Sequence, residues 1–166
     1  MEATVIQAPD RPNDMTKPLV FLAGTTTPTP EGDWRQNLID RLSHCAATFL
    51  NPCNRNWDST WTEDSSDARW VEQIKWELDL LEGADVVVVM FHESTLAPIS
   101  MLELGIHIRS GKVIVCAMPG YAKRGNVEAV CARYAGEFVT SEEELARVLE
   151  KRLRDESVLG RSGMDG

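Results

Sequence analysis

The chain has 166 residues, 43% apolar and 26% charged, enough for one domain with a real core and too short for two comfortable ones. Its net charge of −9 argues against a nucleic-acid polymer as the main partner, since a phosphate backbone is bound by clustered cations; single nucleosides or nucleotides remain compatible. Cys45, Cys53, Cys116 and Cys131 form no CxxC pair, no signal-peptide core precedes residue 17 and no run reaches membrane-spanning length, which points to a cytoplasmic protein free of membrane.

Residues 1–17 read as a disordered polar tail and 155–166 as a flexible C-terminal tail, with one domain between them at 18–154. Leu19-Val20-Phe21-Leu22-Ala23 is a buried strand closed by Gly24 and a Thr/Pro loop. Asp33 caps a helix to about residue 44, with Leu38, Ile39 and Leu42 inside, and 47–50 form a short second strand. A polar loop rich in Trp, Asn and Asp fills 51–66. Asp67 opens a long helix to residue 82, closed by Gly83, whose buried stripe is Val71, Ile74, Leu78 and Leu81. Residues 85–91 are the clearest strand, apolar throughout after Asp85. Pro98 suits the first turn of the next helix, which ends near Gly111. A strand at 112–118, a helix at 126–134, a small strand at 137–140 and a charged helix capped by Ser141 complete the chain. Strand and helix alternate five times. The pattern predicts an α/β fold: a single-domain, doubly wound, five-stranded parallel sheet in the flavodoxin-like order 2-1-3-4-5, with its switch point between the first and third strands.

Ligands of such sheets bind outside the carboxyl ends of the strands. Glu103 is a lone carboxylate in the apolar run Ser100-Met101-Leu102-Glu103-Leu104-Gly105-Ile106, little more than one turn into its helix and close to that edge. It also shares a helical stripe with Ser100 and His107, so a plain solvated face fits the same spacing. Glu77 lies roughly 80° from the centre of the preceding helix's stripe and can lean over the same edge beside Trp70, whereas Asp79, roughly 120° away, faces water. Two carboxylates converging on one cleft are what displacement at an anomeric carbon requires. Gly24, Thr25 and Thr26 follow the first strand where phosphate loops stand. They lack GxGxxG and GxxxxGK[ST], which leaves a sugar or single phosphate on local donors and removes the case for a dinucleotide cofactor. Trp57, Trp61 and Trp70, interspersed with Asn51, Asn54 and Asn56, suit a stacked base or a loop packed on itself. His92 and His107 lack a third ligand near by, so no metal is expected.

In order along the chain, Phe21-Leu22-Ala23-Gly24, Asp33-Trp34-Arg35, Phe49-Leu50-Asn51-Pro52, Trp76-Glu77-Leu78, Gly83-Ala84-Asp85, Leu102-Glu103-Leu104-Gly105, Pro119-Gly120-Tyr121 and Asn126 resemble the nucleoside 2-deoxyribosyltransferase superfamily, in its divergent 2-deoxyribosyltransferase-like branch. The resemblance runs from about residue 19 to 134. It implies that Glu103 is the glycosyl-accepting nucleophile and that Glu77 takes the place of an Asp that assists departure of the base. It also implies that Asn126 reaches into a neighbouring subunit's site, so that complete sites need a homodimer or higher homo-oligomer. Phe21, Gly24, Thr25, Thr26, Asn51, Ser94, Thr95 and Asn126 form the expected substrate-binding set. Phe21 replaces a tyrosine of characterised members, and Ala97 an Asp or Ser, with Ser94 and Thr95 close by as substitutes.

Two functions follow from these readings. One is an N-glycosidic-bond transferase or hydrolase acting on nucleosides or nucleoside monophosphates through a covalent glycosyl-Glu103 intermediate, without a cofactor. The other is a nucleoside- or nucleotide-derivative-binding protein of the same fold without turnover. In the enzyme, the carboxylates are expected to titrate as a coupled pair, with Glu103 ionising first and Glu77 second.

Overall fold

The computed structural model describes residues 2–155. Its elements are β1 (Thr4–Gln7), β2 (Leu19–Gly24), α1 (Trp34–Arg41), β3 (Thr48–Asn51), α2 (Ala68–Gly83), β4 (Val86–Phe91), α3 (Pro98–His107), β5 (Val113–Ala117), α4 (Arg124–Tyr134), β6 (Glu137–Val139) and α5 (Glu142–Arg154). A short 3-10 turn, Ile108–Ser110, extends α3 to Gly111, whose positive φ of 75° ends it.

All strands run parallel in one six-stranded sheet of order β1-β3-β2-β4-β5-β6. The five strands expected from the sequence stand in the expected order, and the chain changes direction across the sheet between β2 and β4. Every residue of β2, β4 and β5 is buried. Helices cover both faces of these strands, so their sequences are apolar runs rather than alternations. Leu38, Ile39, Leu145 and Leu149 from α1 and α5 pack on one face; Trp76, Leu80, Leu104, Val127 and Cys131 from α2, α3 and α4 pack on the other.

Two expectations need correction. The sheet has six strands because part of the stretch read as a disordered tail is β1, paired in register with β3. Ala3 N–H donates to Ser43 O, Thr4 N–H to Ala47 O and Ala8 N–H to Asn51 O, each within 3.0 Å. Ala8 is fully buried, and Trp76 Nε1–H donates to Asp10 O at 2.7 Å, so both ends of the strand are pinned. Backbone pairing, which composition does not reveal, holds this half-exposed edge. Of the expected C-terminal tail, residues 156–166 lie outside the described residues.

The second correction concerns α2. Its buried residues are Gln73, Trp76, Leu80 and Leu81, while Val71 is 42% and Leu78 51% exposed. The helix is turned by one residue, about 100°, from the expected stripe. The indole of Trp76, 6.0 Å from the Phe21 ring, sets that rotation together with the amide of Gln73. The turn carries Glu77 inward. Among the described residues no helix is long and apolar enough to cross a membrane.

Candidate active site

A cavity of about 620 Å³ opens at the carboxyl edge of the sheet beside the switch point. Gly24 and Thr26 supply its floor, Arg35 comes from α1, and Cys53, Asn54 and Trp57 from the loop after β3. Trp70, Gln73 and Glu77 descend from α2, and Pro98, Ser100 and Glu103 from the first turns of α3. The volume suits a drug-sized ligand, and the mixture of aromatic walls with a few convergent polar groups is typical of small-molecule sites.

The floor is fixed by close backbone approach. Gly24 has a φ of 133°, and a Cβ there would run into the backbone of Met90 on β4. Only glycine fits. Thr25 follows, fully buried: its N–H donates to Met90 O at 2.9 Å, and its Oγ1 accepts from His92 N–H at 3.1 Å. The ends of β2 and β4 are thereby clamped. Arg35 is 2% exposed, and its guanidinium donates from Nε to Leu22 O, from Nη1 to Thr25 O and from Nη2 to Gly24 O, at 2.8 to 3.0 Å.

Glu103 is 9% exposed and lines the cavity, yet its carboxylate has no hydrogen bond or ion pair among the described residues. Burial, with the charge of Glu77 in second place, raises it to about 7, against the opposing pull of Arg35. Glu77 is half-buried and is raised by burial too, but it accepts a hydrogen bond from Gln73 Nε2 at 2.8 Å. That bond and Arg35 favour its charged form. Glu77 therefore carries the pair's first negative charge and Glu103 the second, the reverse of the expected order. Burial also raises the Cys53 thiol above its ordinary value, so no thiolate competes with Glu103 as a nucleophile near neutral pH.

The expected site residues divide into two groups. Glu77, Glu103, Gly24, Thr26 and Thr95 line the cavity. Phe21, Thr25, Asn51, Ser94 and Asn126 do not. Phe21 is fully buried under Trp76, and Thr25 serves the strand clamp. Asn51 accepts from Cys53 N–H at 3.0 Å, and Ser94 Oγ lies 3.0 Å from His92 Nδ1. Asn126 is exposed on α4. Sequence reasoning did not single out Arg35 or Gln73. A signal existed for the first: Arg35, Leu38, Ile39 and Leu42 follow i, i+3, i+4, i+7 spacing and all four are buried.

Other hollows and clusters lack this combination. A concavity of about 640 Å³ lined by Glu31, Asn37, Asp40, Arg41, Met118 and Glu142 has no buried residue in its wall. His44, Cys45 and Glu150 approach one another closely enough for a metal, but Glu150 Oε1 is already bonded to His44 and Arg154.

An open parallel α/β sheet with one buried and one half-buried carboxylate in a cleft at its switch point is the arrangement of a candidate small-molecule site. Residues 17–121 match the model of the family described as nucleoside 2-deoxyribosyltransferase like, and the chain belongs to that family. Asn126 lies beyond the matched residues. A search among curated proteins finds no match. A similar solved structure is the crystal structure of a conserved protein from Enterococcus faecalis V583, at 14% identity and a TM-score of 0.58. It covers 82% of this chain and 99% of its own, a likeness of fold.

Proposed function

We propose that the protein is an N-glycosidic-bond transferase or hydrolase acting on nucleosides or nucleoside monophosphates. The observation that carries this reading is Glu103: a buried carboxylate with no hydrogen-bond or ion-pair partner among the described residues, lining a cavity that a second carboxylate also lines. A buried charge without partners is costly and is kept where chemistry uses it. Membership of a family described as nucleoside 2-deoxyribosyltransferase like supports this substrate class.

In this mechanism a Glu103 oxygen attacks C1′, and a glycosyl ester forms as the bond from C1′ to the base nitrogen breaks. The bonding electrons leave with the base, which takes up a proton. The Glu77–Glu103 pair holds that proton when singly ionised, and the productive arrangement has it on Glu77. An acceptor base or water then attacks C1′ from the vacated side and releases Glu103, with retention overall. Trp57 and Trp70 offer apolar faces to the base, and the hydroxyls of Thr26, Thr95 and Ser100 offer partners to the sugar. No cofactor enters.

Asn126 is exposed and outside the cavity of its own chain, so a role near the nucleophile requires a second copy; a homodimer or higher homo-oligomer belongs to this proposal. The domain spans 18–154 with β1 added to its sheet, and a reducing cytoplasm suits its four free cysteines.

One observation favours the second reading, a nucleoside- or nucleotide-derivative-binding protein without turnover. Phe21 on β2 is sealed in the core, and among the described residues that strand presents no hydroxyl to the cavity. Incubation with a panel of nucleosides and monophosphates, with and without acceptor base, separates the two. Base release or exchange supports the enzyme, and saturable binding without either supports the binding protein.

A further inference from the structure

Among the described residues Arg35 is the only Lys or Arg that is buried, and Glu103 the only Asp or Glu. They line the same cavity. They form no ion pair: the guanidinium is held back by the carbonyls of Leu22, Gly24 and Thr25 and lies 4.6 Å over the Trp34 ring. Three neutral carbonyls orient a charge without neutralising it, and a buried charge of this kind requires an opposite charge within reach. The groups that face it are Glu103 from α3, Glu77 from α2, Cys53 from the loop after β3 and Asp33 at the N-cap of α1; Glu63 also lines the cavity.

We propose that Arg35 is a positioning residue: a fixed buried cation that holds the Glu77–Glu103 pair in its charged, reactive state by its field rather than by contact. The proposal rests on the reading of Glu103 as the nucleophile. A direct ion pair would occupy the oxygens that attack C1′ and lower their nucleophilicity. No cation at all would raise the cost of negative charge on both carboxyls. A guanidinium tethered to the strand end avoids both outcomes. It lowers the cost of the negative charge and leaves the oxygens of Glu103 free. The same tether explains why the residue is arginine: five N–H donors in a rigid fork satisfy three carbonyls while the charge stays delocalised.

The test is a carbon-13 NMR titration of the Glu103 carboxyl, assigned by its loss in Glu103→Gln, in wild type, Arg35→Met and Arg35→Lys. The wild-type midpoint is expected near 7. Arg35→Met is expected to raise it by about one pH unit, so that the ionised fraction at pH 7 falls roughly fivefold; Arg35→Lys restores most of it. An unchanged midpoint in folded Arg35→Met overturns the proposal and leaves the enzymatic reading standing. A raised midpoint in a protein that turns over no nucleoside does the opposite. Should Arg35→Met not fold, the buried Arg35 Nε–H proton of the native chain is followed with pH. It is expected to shift with the Glu103 midpoint and to lose that transition in Glu103→Gln; a signal that ignores the ionisation overturns the proposal.

Discussion

Gln73 donates its Nε2 hydrogen to Glu77 Oε1 at 2.8 Å, one helical turn along α2, and the same amide group reaches Pro52 O at 2.8 Å and accepts from Asn54 Nδ2 at 2.8 Å. The bond ties the second carboxylate of the cleft to the loop that carries Trp57. A donor directed at a carboxylate favours its charged form, so this contact favours Glu77 as the member of the pair that ionises first. Gln73→Met is expected to raise the Glu77 midpoint while leaving secondary structure unchanged by circular dichroism. A Glu77 midpoint that stays in place would show that burial and Arg35 set it without this bond.

The order of ionisation fixes the pH dependence. A substrate whose base departs without a proton needs only ionised Glu103, so its rate is expected to rise with pH and level off above about 7. A base that must be protonated needs the pair singly charged, so its rate is expected to rise as Glu77 ionises and to fall through about 7 as Glu103 follows. Glu77→Gln is expected to abolish the difference and to slow the poor leaving groups most. Equal losses for good and poor leaving groups would assign Glu77 to substrate positioning instead.

Glu103 also carries a stability cost of definite sign. Its folded value of about 7 stands above the roughly 4.3 of an unfolded glutamate, so between these pH values the native chain binds the additional proton. Stability from this group is therefore full below the lower value and lost as pH rises through the higher one. Glu103→Gln is expected to abolish glycosyl transfer and to stabilise the fold at pH 8 by about 2 kcal/mol, with the gain gone near pH 4. Thermal melts of both proteins at the two pH values measure this. A variant less stable at pH 8 would mean that the carboxylate is held by partners the structure does not give it.

Much of this site was legible in the chain, and the exceptions have physical causes. Apolar runs located β2, β4 and β5 because strands buried on both faces admit no alternation. The lone glutamate of α3 was visible because a carboxylate inside an apolar run is costly wherever it lies. β1 escaped because an edge strand of four residues is held by backbone hydrogen bonds, which every sequence offers equally. The rotation of α2 escaped because that helix has apolar residues on opposite sides, and the volume of Trp76 outweighed Val71 and Leu78. Arg35 escaped because a charge at an inward position is ordinarily read as surface. Phe21 was assigned to the cavity by the resemblance and Thr25 by its place just after β2, whereas both side chains are buried away from the cavity.

Gly24 tests the floor of the cavity. Gly24→Ala places a Cβ against the backbone of Met90 and requires a left-handed φ of 133° that alanine rarely adopts. Backbone shifts of this kind cost roughly 3 kcal/mol and would separate β2 from β4 where Arg35 is anchored. A large drop in melting temperature is expected, with loss of ligand binding. By contrast, Gly105 on α3 has nothing within 4 Å of an added Cβ, and Gly105→Ala is expected to be neutral or mildly stabilising. Equal effects at the two positions would remove the close approach as the reason for Gly24.

The last expectation concerns assembly, and it can be read without a structure of the complex. Asn126 is exposed on α4, while Glu103 lines a cavity built from α1, α2 and α3 of its own chain. If Asn126 serves the nucleophile, it serves that of a second copy, and each complete site draws on two chains. Glu103→Ala and Asn126→Ala should then each lose activity when alone and recover it when unfolded together and refolded as a mixture. In a random equal mixture of dimers, half are mixed, and each mixed dimer holds one site with both residues intact, so about a quarter of wild-type activity should return. No recovery from mixed dimers, verified by two distinguishable tags, would place Asn126 outside the chemistry. An Asn126→Ala protein with full activity would do the same and would leave Glu103 dependent on its own chain alone.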